Sequence, residues 1–464
     1  MGKEKGKSIE HIFRAYDIRG VIGKDLTSEI VAKIGASFGV YVGKGKSILV
    51  GHDARTSSVM VKNAVISGLL GTGINVYDVG LLPIPLVNFY TWKHGFDGAI
   101  VITASHNPPE YNGIRFRRSD GTGYSRENRD VANIFLQNKI KYSSWNELGE
   151  LFSIDTNSVI ERYATFVTNN LSVSSKLTVL VDPGNGAASF VGPFLFRKIG
   201  VNVVAVNSFF DGTFPARPSD PLKLDKSLMK ELIVDSGADF GVAYDGDGDR
   251  AVFFDEKGNM ISPEKAGIIF GKYLLSKSDK KDIVANISCS MILNEALSTE
   301  GATVHVSKVG DVFVAEKIKE VNAILGVESS AHYFFPFYGF LYDDAIFGSL
   351  LMAEILSTGE EPLSSMIKRL PTYPIKTLNV ECRDDLKFEV IEKLHHTLST
   401  KGMLNMSLLD GLKITSDDGW ILIRPSNTEP LIRVTIEGHS ESVVSKIEKE
   451  YIPLLQTIIS ELEG

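Results

Sequence analysis

One rhythm occurs three times along the chain, and it restricts the fold more than any other feature. The first round is "SILVGHD" (47–53), an apolar helical stretch through "MVKNAVISGLLGTG", then "INVYDVG" and "DGAIVITASHN". The second is "LTVLVDPGNGAAS" (177–189), "FVGPFLFRKIG", "VNVVAVN" and, later, "DFGVAYDGDGD". The third is "DIVANISCS" (282–290), "MILNEALSTEG", "ATVHVSK" and "NAILGVESSAH". Each round reads as a β-branched strand, a helix with apolar residues at i, i+3, i+4 spacing, a second strand, a crossover and a third strand. That alternation predicts α/β domains with mixed, mostly parallel sheets covered by helices. Gly71, Gly200 and Gly301 fall near the helix ends, where a left-handed cap is expected. From about residue 370 the pattern changes. "WILIRPSNTEPLIRVTIEG" (420–438) is two alternating strands around a polar turn, followed by an amphipathic helix, which predicts a C-terminal α+β domain. The expected division is 1–150, 151–255, 256–368 and 369–464. A chain of 464 residues is too long for one core.

The third strand of each round runs straight into a polar loop: ASHNP, DGDGDR, ESSAH. Ligands of open α/β sheets gather at the carboxyl ends of strands, so the three loops, with the turn of the fourth domain, predict one composite site. The net charge of −8 argues against a broad nucleic-acid-binding face, so an anionic ligand needs a local cluster of cations. Two cysteines, Cys289 and Cys382, make no disulfide framework and suit a reducing compartment. The opening MGKEKGKS lacks the apolar stretch of a signal peptide, and no run is apolar enough to span a bilayer. The expectation is a cytoplasmic protein whose partners are small molecules, with no nucleic acid and no membrane. No stretch separates itself from ordinary surface as an oligomer interface.

In "AYDGDGDRAVFF" (243–254), extended backbone would project Asp245, Asp247 and Asp249 to one side. Three crowded carboxylates repel one another unless a cation sits among them, and hard oxygen ligands suit Mg2+ or Ca2+. An EF-hand is excluded because Arg250 stands where its loop needs glycine. A magnesium ion with three protein ligands keeps positions for water or phosphate, and Arg250 adds a cation beside it, as phosphoryl transfer requires. The loop alone fits a phosphatase, a kinase or a mutase. In "ILIRPSNTEP", Arg424 offers a planar fork for phosphate, and Ser426, Asn427 and Thr428 add donors around a tight turn. It is not a Walker loop, and an ordinary hairpin turn is the competing reading. Glu328, Ser330 and His332 alternate along "LGVESSAH" and carry the groups that grip sugar hydroxyls or move a proton. Ser105 stands beside His106, but adjacent residues rarely align as nucleophile and base, and G-x-S-x-G is absent. A serine near three aspartates and their metal is instead placed to carry a phosphate.

The set TASHNP around Ser105, DGDGDR at 245–250, E-x-S-x-H at 328–332 and RPSNTEP at 424–430 resembles the four signature loops of the α-D-phosphohexomutases, in order across nearly the whole chain. "FRAYDIRG" (13–20) is similar to that family's opening motif. The resemblance implies four domains arranged as a heart around a central cleft. It implies a phosphorylated Ser105, and Mg2+ held by Asp245, Asp247, Asp249 and a phosphoserine oxygen. It also implies a hexose 1,6-bisphosphate that turns around in the cleft while 1- and 6-phosphates interconvert. By position, Arg424, Ser426, Asn427 and Thr428 would hold the phosphate not in transfer, Glu328 and Ser330 the sugar hydroxyls, and Tyr16 and Arg19 the cleft border. Two departures stand out. Arg115 occupies the place where many relatives carry an acid–base lysine, and an arginine cannot readily take a proton, which leaves His332 or His106 for that work. Ala331 stands where glycine is usual. The E-x-S-x-H pattern looks most like the phosphomannomutase/phosphoglucomutase branch, so mannose and glucose phosphates are expected. The alternatives are the glucosamine branch, which has Gln where this chain has Ser329, a Mg2+-dependent sugar phosphatase, and a non-catalytic sugar-phosphate sensor.

Overall fold

The computed structural model describes residues 9–174, 176–359, 361–426 and 430–463. Three sheets share one strand order. In the first, Ser47–His52 lies between Asn75–Leu81 and Gly98–Ile102, all parallel, and Tyr111–Arg118 returns antiparallel beside Gly98–Ile102. In the second, Thr178–Asp182 lies between Asn202–Ala205 and Phe240–Tyr244, with Ala251–Asp255 returning. In the third, Asp282–Asn286 lies between Thr303–Ser307 and Leu325–Val327, with Tyr333–Phe334 returning. The order second–first–third creates a switch point beside the first and third strands, where crevices form. Each polar loop is therefore the connection between a buried parallel strand and its antiparallel return, anchored at both ends. The fourth sheet is antiparallel throughout, and its loop is again a hairpin connection, between Gly419–Pro425 and Leu431–Gly438.

Two strands move the expected boundaries. Leu151–Ser153 pairs with Asn75–Leu81 on the first sheet, so that domain runs past residue 150. Met260–Ile261 pairs with Ala251–Asp255, so the second domain runs past residue 255. In both cases a short edge strand follows a turn, and periodicity over so few residues is undetectable. Gly200 and Gly301 take the left-handed conformation expected of them, at φ 89° and 82°, but Gly71 is the last helical residue and Gly73 takes that conformation instead.

Gly98–Ile102 and Phe240–Tyr244 are buried at every position, as parallel strands covered on both faces must be. The first three domains share one continuous apolar core, which runs from Leu49 and Val101 through Val181 and Phe253 to Val327 and Phe347. Its central element is the helix Ala345–Thr358, apolar on all sides and buried from Ala345 to Ser357. Asp344 caps that helix through the Phe347 amide, at 2.8 Å, and accepts from the Tyr163 hydroxyl of the second domain at 2.7 Å. The fourth domain has its own core, built from Leu412, Ile423, Val434 and the helix Glu441–Glu463. It meets the third domain through a small cluster of Ile287, Trp420 and Leu422. At that joint Glu437, fully buried, accepts from the Met291 amide at 2.8 Å and the Trp420 indole at 2.6 Å, and also bonds the Ser290 hydroxyl. Among the described residues no helix is long and apolar enough to cross a membrane.

Candidate active site

The hairpin loops of the first two domains meet at Ser105. Its hydroxyl donates to Asp245 Oδ2 at 2.9 Å, and its side chain is buried. Ser105 has φ 49°, a left-handed conformation that a residue with a Cβ adopts only under constraint. That conformation also turns Oγ to within 3.1 Å of His106 Nδ1. Adjacent residues rarely align as nucleophile and base, and the close contact seen here depends on the positive φ. Burial and the nearby Arg250 and Arg19 guanidinium groups hold His106 well below the ordinary imidazole range, with Arg250 the strongest of these influences. Thr103 links the two loops beneath, with its hydroxyl donating to Asp247 Oδ2 at 2.9 Å and accepting from the Ser105 amide at 2.8 Å.

Asp245, Asp247 and Asp249 each offer an oxygen within 4.8 Å of the others, and all are buried. Burial, then repulsion from Asp249 and Asp247, pushes Asp245 well above the carboxylate range, and burial with Asp249 pushes Asp247 up to about 6. Asp249 goes the other way: burial opposes its charge, but His332, Arg115 and Arg250 outweigh it. Asp247 Oδ1 has no hydrogen-bond donor among the described residues, and Asp249 Oδ1 has the His332 ring 3.3 Å away. An orphaned oxygen in a dry site, with burial and mutual repulsion pushing two of the three carboxylates up, fits a hard divalent cation.

The third loop closes on the second through backbone and side chains. The Ala251 amide donates to Ala331 O at 3.1 Å, and His332 Nε2 lies 3.3 Å from Asp249 Oδ1. His332 Nδ1 lies 2.9 Å from both Glu328 Oε2 and the Ser330 hydroxyl. Burial disfavours charge on His332, yet Asp249 and Glu328 raise it well above the ordinary imidazole range despite Arg250, whose Nε is 3.3 Å away. Its carboxylate neighbours favour the charged form. Asp343 Oδ2 lies 3.6 Å from the same Nε2, and burial with Asp249 and Asp311 pushes Asp343 up to about 7. Asp249, His332 and Asp343 also converge within 4.8 Å, with the His332 ring 3.3 Å from Asp249 Oδ1 and 3.6 Å from Asp343 Oδ2. Ala331 has φ 70°, the left-handed turn for which glycine would be the unstrained residue.

Arg115 stands on the return strand of the first hairpin, opposite Val101. One Nη bonds Asp249 Oδ2 at 2.7 Å and lies 3.8 Å from Asp247 Oδ2, and the other bonds Asp311 Oδ2 at 2.8 Å. Burial works against its charge, but Asp311 and Asp249 outweigh it and hold the guanidinium charged. Asp311 also binds Arg117 at 2.9 Å; burial opposes its charge, yet Arg115 and Arg117 bring it down to about 2. Arg250 lies 3.9 Å from Asp245 Oδ2, the oxygen that accepts from Ser105. Arg19 binds Asp17 at 2.7 Å and spends Nη1 on Asn107 Oδ1 at 2.7 Å and Ala104 O at 3.3 Å, so it braces the serine loop. Tyr16 packs edge-on against Phe313, and burial with Asp17 and Asp311 pushes its hydroxyl up to about 12.

The fourth loop reaches the others through a chain of contacts. Arg424 Nη2 binds Asp410 Oδ2 at 2.9 Å, the Val309 amide donates to the same oxygen at 3.1 Å, and the Gly310 amide donates to Glu328 at 2.8 Å. Ser426 is buried, its amide donates to Leu431 O at 2.9 Å, and its carbonyl accepts from Lys387. Asn427 and Thr428 lie outside the described residues. Asp311, Asp343, Arg55 and Asp410 belong to this constellation and were not singled out by the sequence. Asp311 and Asp343 do stand in short polar breaks, "VGD" and "YDDA", between apolar runs.

Comparison with known proteins agrees with this geometry. The phosphoglucomutase/phosphomannomutase family matches over its alpha/beta/alpha domain I at residues 10–141, domain II at 161–258, domain III at 262–373 and C-terminal domain at 378–453. A Pyrococcus horikoshii protein named "Probable phosphoglucosamine mutase" is 35% identical, covering 97% of this chain and 99% of its own length. A Thermococcus kodakarensis protein named phosphoglucomutase/phosphomannomutase is 36% identical, covering 96% and 97%. The structure of a phosphoglucomutase/phosphomannomutase family protein from Burkholderia thailandensis has a TM-score of 0.87 at 28% identity, covering 97% of this chain and 98% of that one. Aspergillus fumigatus N-acetylphosphoglucosamine mutase, solved with GlcNAc-6P and magnesium, shares the fold at a TM-score of 0.61 and 13% identity. The chain belongs to the phosphoglucomutase/phosphomannomutase family, whose members are phosphotransferases of the isomerase class.

Proposed function

We propose that the chain interconverts the 1- and 6-phosphates of a hexose by way of phosphorylated Ser105 and a hexose 1,6-bisphosphate. The observation that carries this reading is the 2.9 Å contact between Ser105 Oγ and Asp245 Oδ2, at the rim of three buried carboxylates whose oxygens converge within 4.8 Å. Asp245, Asp247, Asp249 and an oxygen on Ser105 would hold Mg2+, which supplies charge neutralisation for the phosphoryl group. In each transfer the Ser105 Oγ–P bond breaks and a bond from phosphorus to a sugar hydroxyl oxygen forms, and the return step reverses this at the other end of the sugar. The proton lost by the sugar hydroxyl balances the one gained by Oγ, and His106 Nδ1, 3.1 Å from Oγ, would orient that oxygen by hydrogen bonding, since Arg250 and burial disfavour a proton held on the ring. His332, held as a cation by Asp249 and Glu328, and Arg250 would face developing charge. Arg115, with both Nη nitrogens committed to carboxylates, would set the Asp loop and carry no proton. Glu328 and Ser330 would read sugar hydroxyls, and Arg424 and Ser426 the distal phosphate.

For the sugar, the names of the relatives that match end to end favour glucosamine phosphate over the mannose or glucose phosphate expected from the loop pattern. The 36% identical Thermococcus relative keeps glucose and mannose phosphates as the second reading. The test is Mg2+-dependent isomerisation of glucosamine, glucose and mannose 6-phosphates, each started by a trace of its 1,6-bisphosphate. The highest kcat/KM is expected for glucosamine, with Ser105→Ala inactive on all three. Near-full turnover by Ser105→Ala, or free phosphate appearing faster than isomerised sugar, would overturn the phosphoserine mutase.

A further inference from the structure

Arg55 lies in the turn after the first parallel strand of the first domain, at the switch point beside the serine loop. Its side chain is fully buried. Nε donates to Asp53 Oδ2 at 3.1 Å, Nη1 to Pro108 O at 2.6 Å and Tyr111 O at 3.0 Å, and Nη2 to Asn107 O at 2.6 Å and Ser105 O at 2.8 Å. A guanidinium has five N–H donors, and here every one is used, four of them on backbone carbonyls of the loop that bears the reacting serine. Carbonyl oxygens converging on one point repel, so the loop holds this shape only around a buried cation. A planar fork spans four acceptors, whereas an ammonium group is a point donor and does not.

Ser105 O is fixed by Arg55, with the Ser219 hydroxyl also donating at 3.1 Å, while Ser105 N–H is fixed by Thr103 Oγ1 at 2.8 Å. The peptide planes on both sides of Ser105 are thereby locked, and its φ of 49° follows from them. With both planes fixed, Oγ is aimed at Asp245. We propose that Arg55 is a positioning residue for phosphoryl transfer: it touches no reacting atom, and it sets the direction of Ser105 Oγ by clamping the carbonyls of its loop. This rests on the phosphoserine reading above.

The test uses the full-length enzyme with Mg2+. Arg55→Lys keeps the charge and most of the volume, and Arg55→Ala leaves a cavity that guanidinium ion can enter. For Arg55→Lys we expect kcat to fall about 100-fold and KM for the hexose phosphate to stay within about threefold, because misplacing a reacting group costs turnover while the sugar and phosphate contacts are untouched. Uptake of phosphoryl on Ser105 from hexose 1,6-bisphosphate, read by intact mass, should slow in step with kcat. Added guanidinium should restore at least about tenfold activity to Arg55→Ala, a gain that a merely structural role would not give. Turnover of Arg55→Lys within about threefold of wild type overturns the proposal, as does a fall in kcat that only tracks a loss of folded protein, or failure of both variants to fold. The wild-type control separates the two readings. Wild-type enzyme that takes no phosphoryl on Ser105 sinks the phosphoserine mutase itself, whereas normal wild-type uptake with normal Arg55→Lys uptake sinks the clamp alone.

Discussion

Replacing Arg115 by lysine asks whether this position sets charge or moves protons. In the structure the two Nη nitrogens bond Asp249 at 2.7 Å and Asp311 at 2.8 Å, in a site that is 5% exposed. A lysine ammonium, one atom in extent, reaches one of those carboxylates and not both. The variant therefore loses one buried charge-assisted hydrogen bond, worth about 1.5–3 kcal/mol, and the retained charge puts the loss near the middle, at about 2 kcal/mol. Asp311 keeps Arg117, so the cost falls mainly on Asp249 and through it on the carboxylate trio. If the full amount appears in the transition state, kcat/KM drops about 30-fold at saturating Mg2+, since about 1.4 kcal/mol is tenfold. The Mg2+ concentration for half-maximal rate should rise as well. Both are read in a coupled isomerisation assay between about pH 6 and 9. The carboxylates that hold the guanidinium charged would hold the ammonium charged too, so the shape of the pH profile should not change. A variant as active as wild type, or one that gains a new pH-dependent limb in that range, would refute the reasoning and make residue 115 a point of proton transfer.

Three further outcomes follow from contacts elsewhere. Asp410→Asn removes the charge that now holds Arg424, so KM for the hexose phosphate should fall about two- to fivefold, the modest size expected for a partly exposed pair; an increase in KM would contradict it. Burial pushes Asp344 up to about 7, so its folded-state value lies above the unfolded one. A raised carboxyl favours the folded state most at low pH and loses that advantage as pH climbs from about 4 to about 7. Asp344→Asn keeps an oxygen for the helix cap and should therefore give a flatter midpoint-versus-pH curve across that window; parallel curves for the two proteins would show that the group does not titrate there. Glu437→Gln disturbs a buried acceptor of three donors at the joint of the third and fourth domains and should weaken that joint by about 2 kcal/mol. Limited proteolysis near residues 371–374 should then speed up, and unchanged cleavage would show that the joint does not depend on this carboxylate.

The strand–helix rhythm and the four polar loops were legible because they are local. A buried parallel strand shows as a continuous apolar run, and a loop that interrupts it with DGDGDR or ASHNP stands out. What joins those loops was not legible. Arg55 lies in "HDARTSS", far along the chain from the carbonyls it binds, and nothing in those letters points to Ser105. Asp311 and Asp343 read as ordinary polar breaks until the third domain is folded against the first. The contact of Ser105 with His106 was not legible either, because it depends on the φ of 49° that the loop gives Ser105. The edge strands at 151–153 and 260–261 escaped because two or three residues carry no period.

One apolar core runs through all three of the first domains, beside smaller clusters of their own, whereas the fourth domain is built around a core it does not share. Sequence drift should therefore leave different marks in the two regions. A change of volume at Val181 or Phe347 lies in packing continuous with the strands that present Ser105 and Asp245, so it is felt as a slower reaction. A change of similar size at Val434 or Leu455 stays within a separate body and, on the role proposed for its loop, would alter how firmly a ligand is gripped. On the proposed function, substitutions confined to the C-terminal quarter would retune affinity for the sugar phosphate while leaving the reaction itself intact.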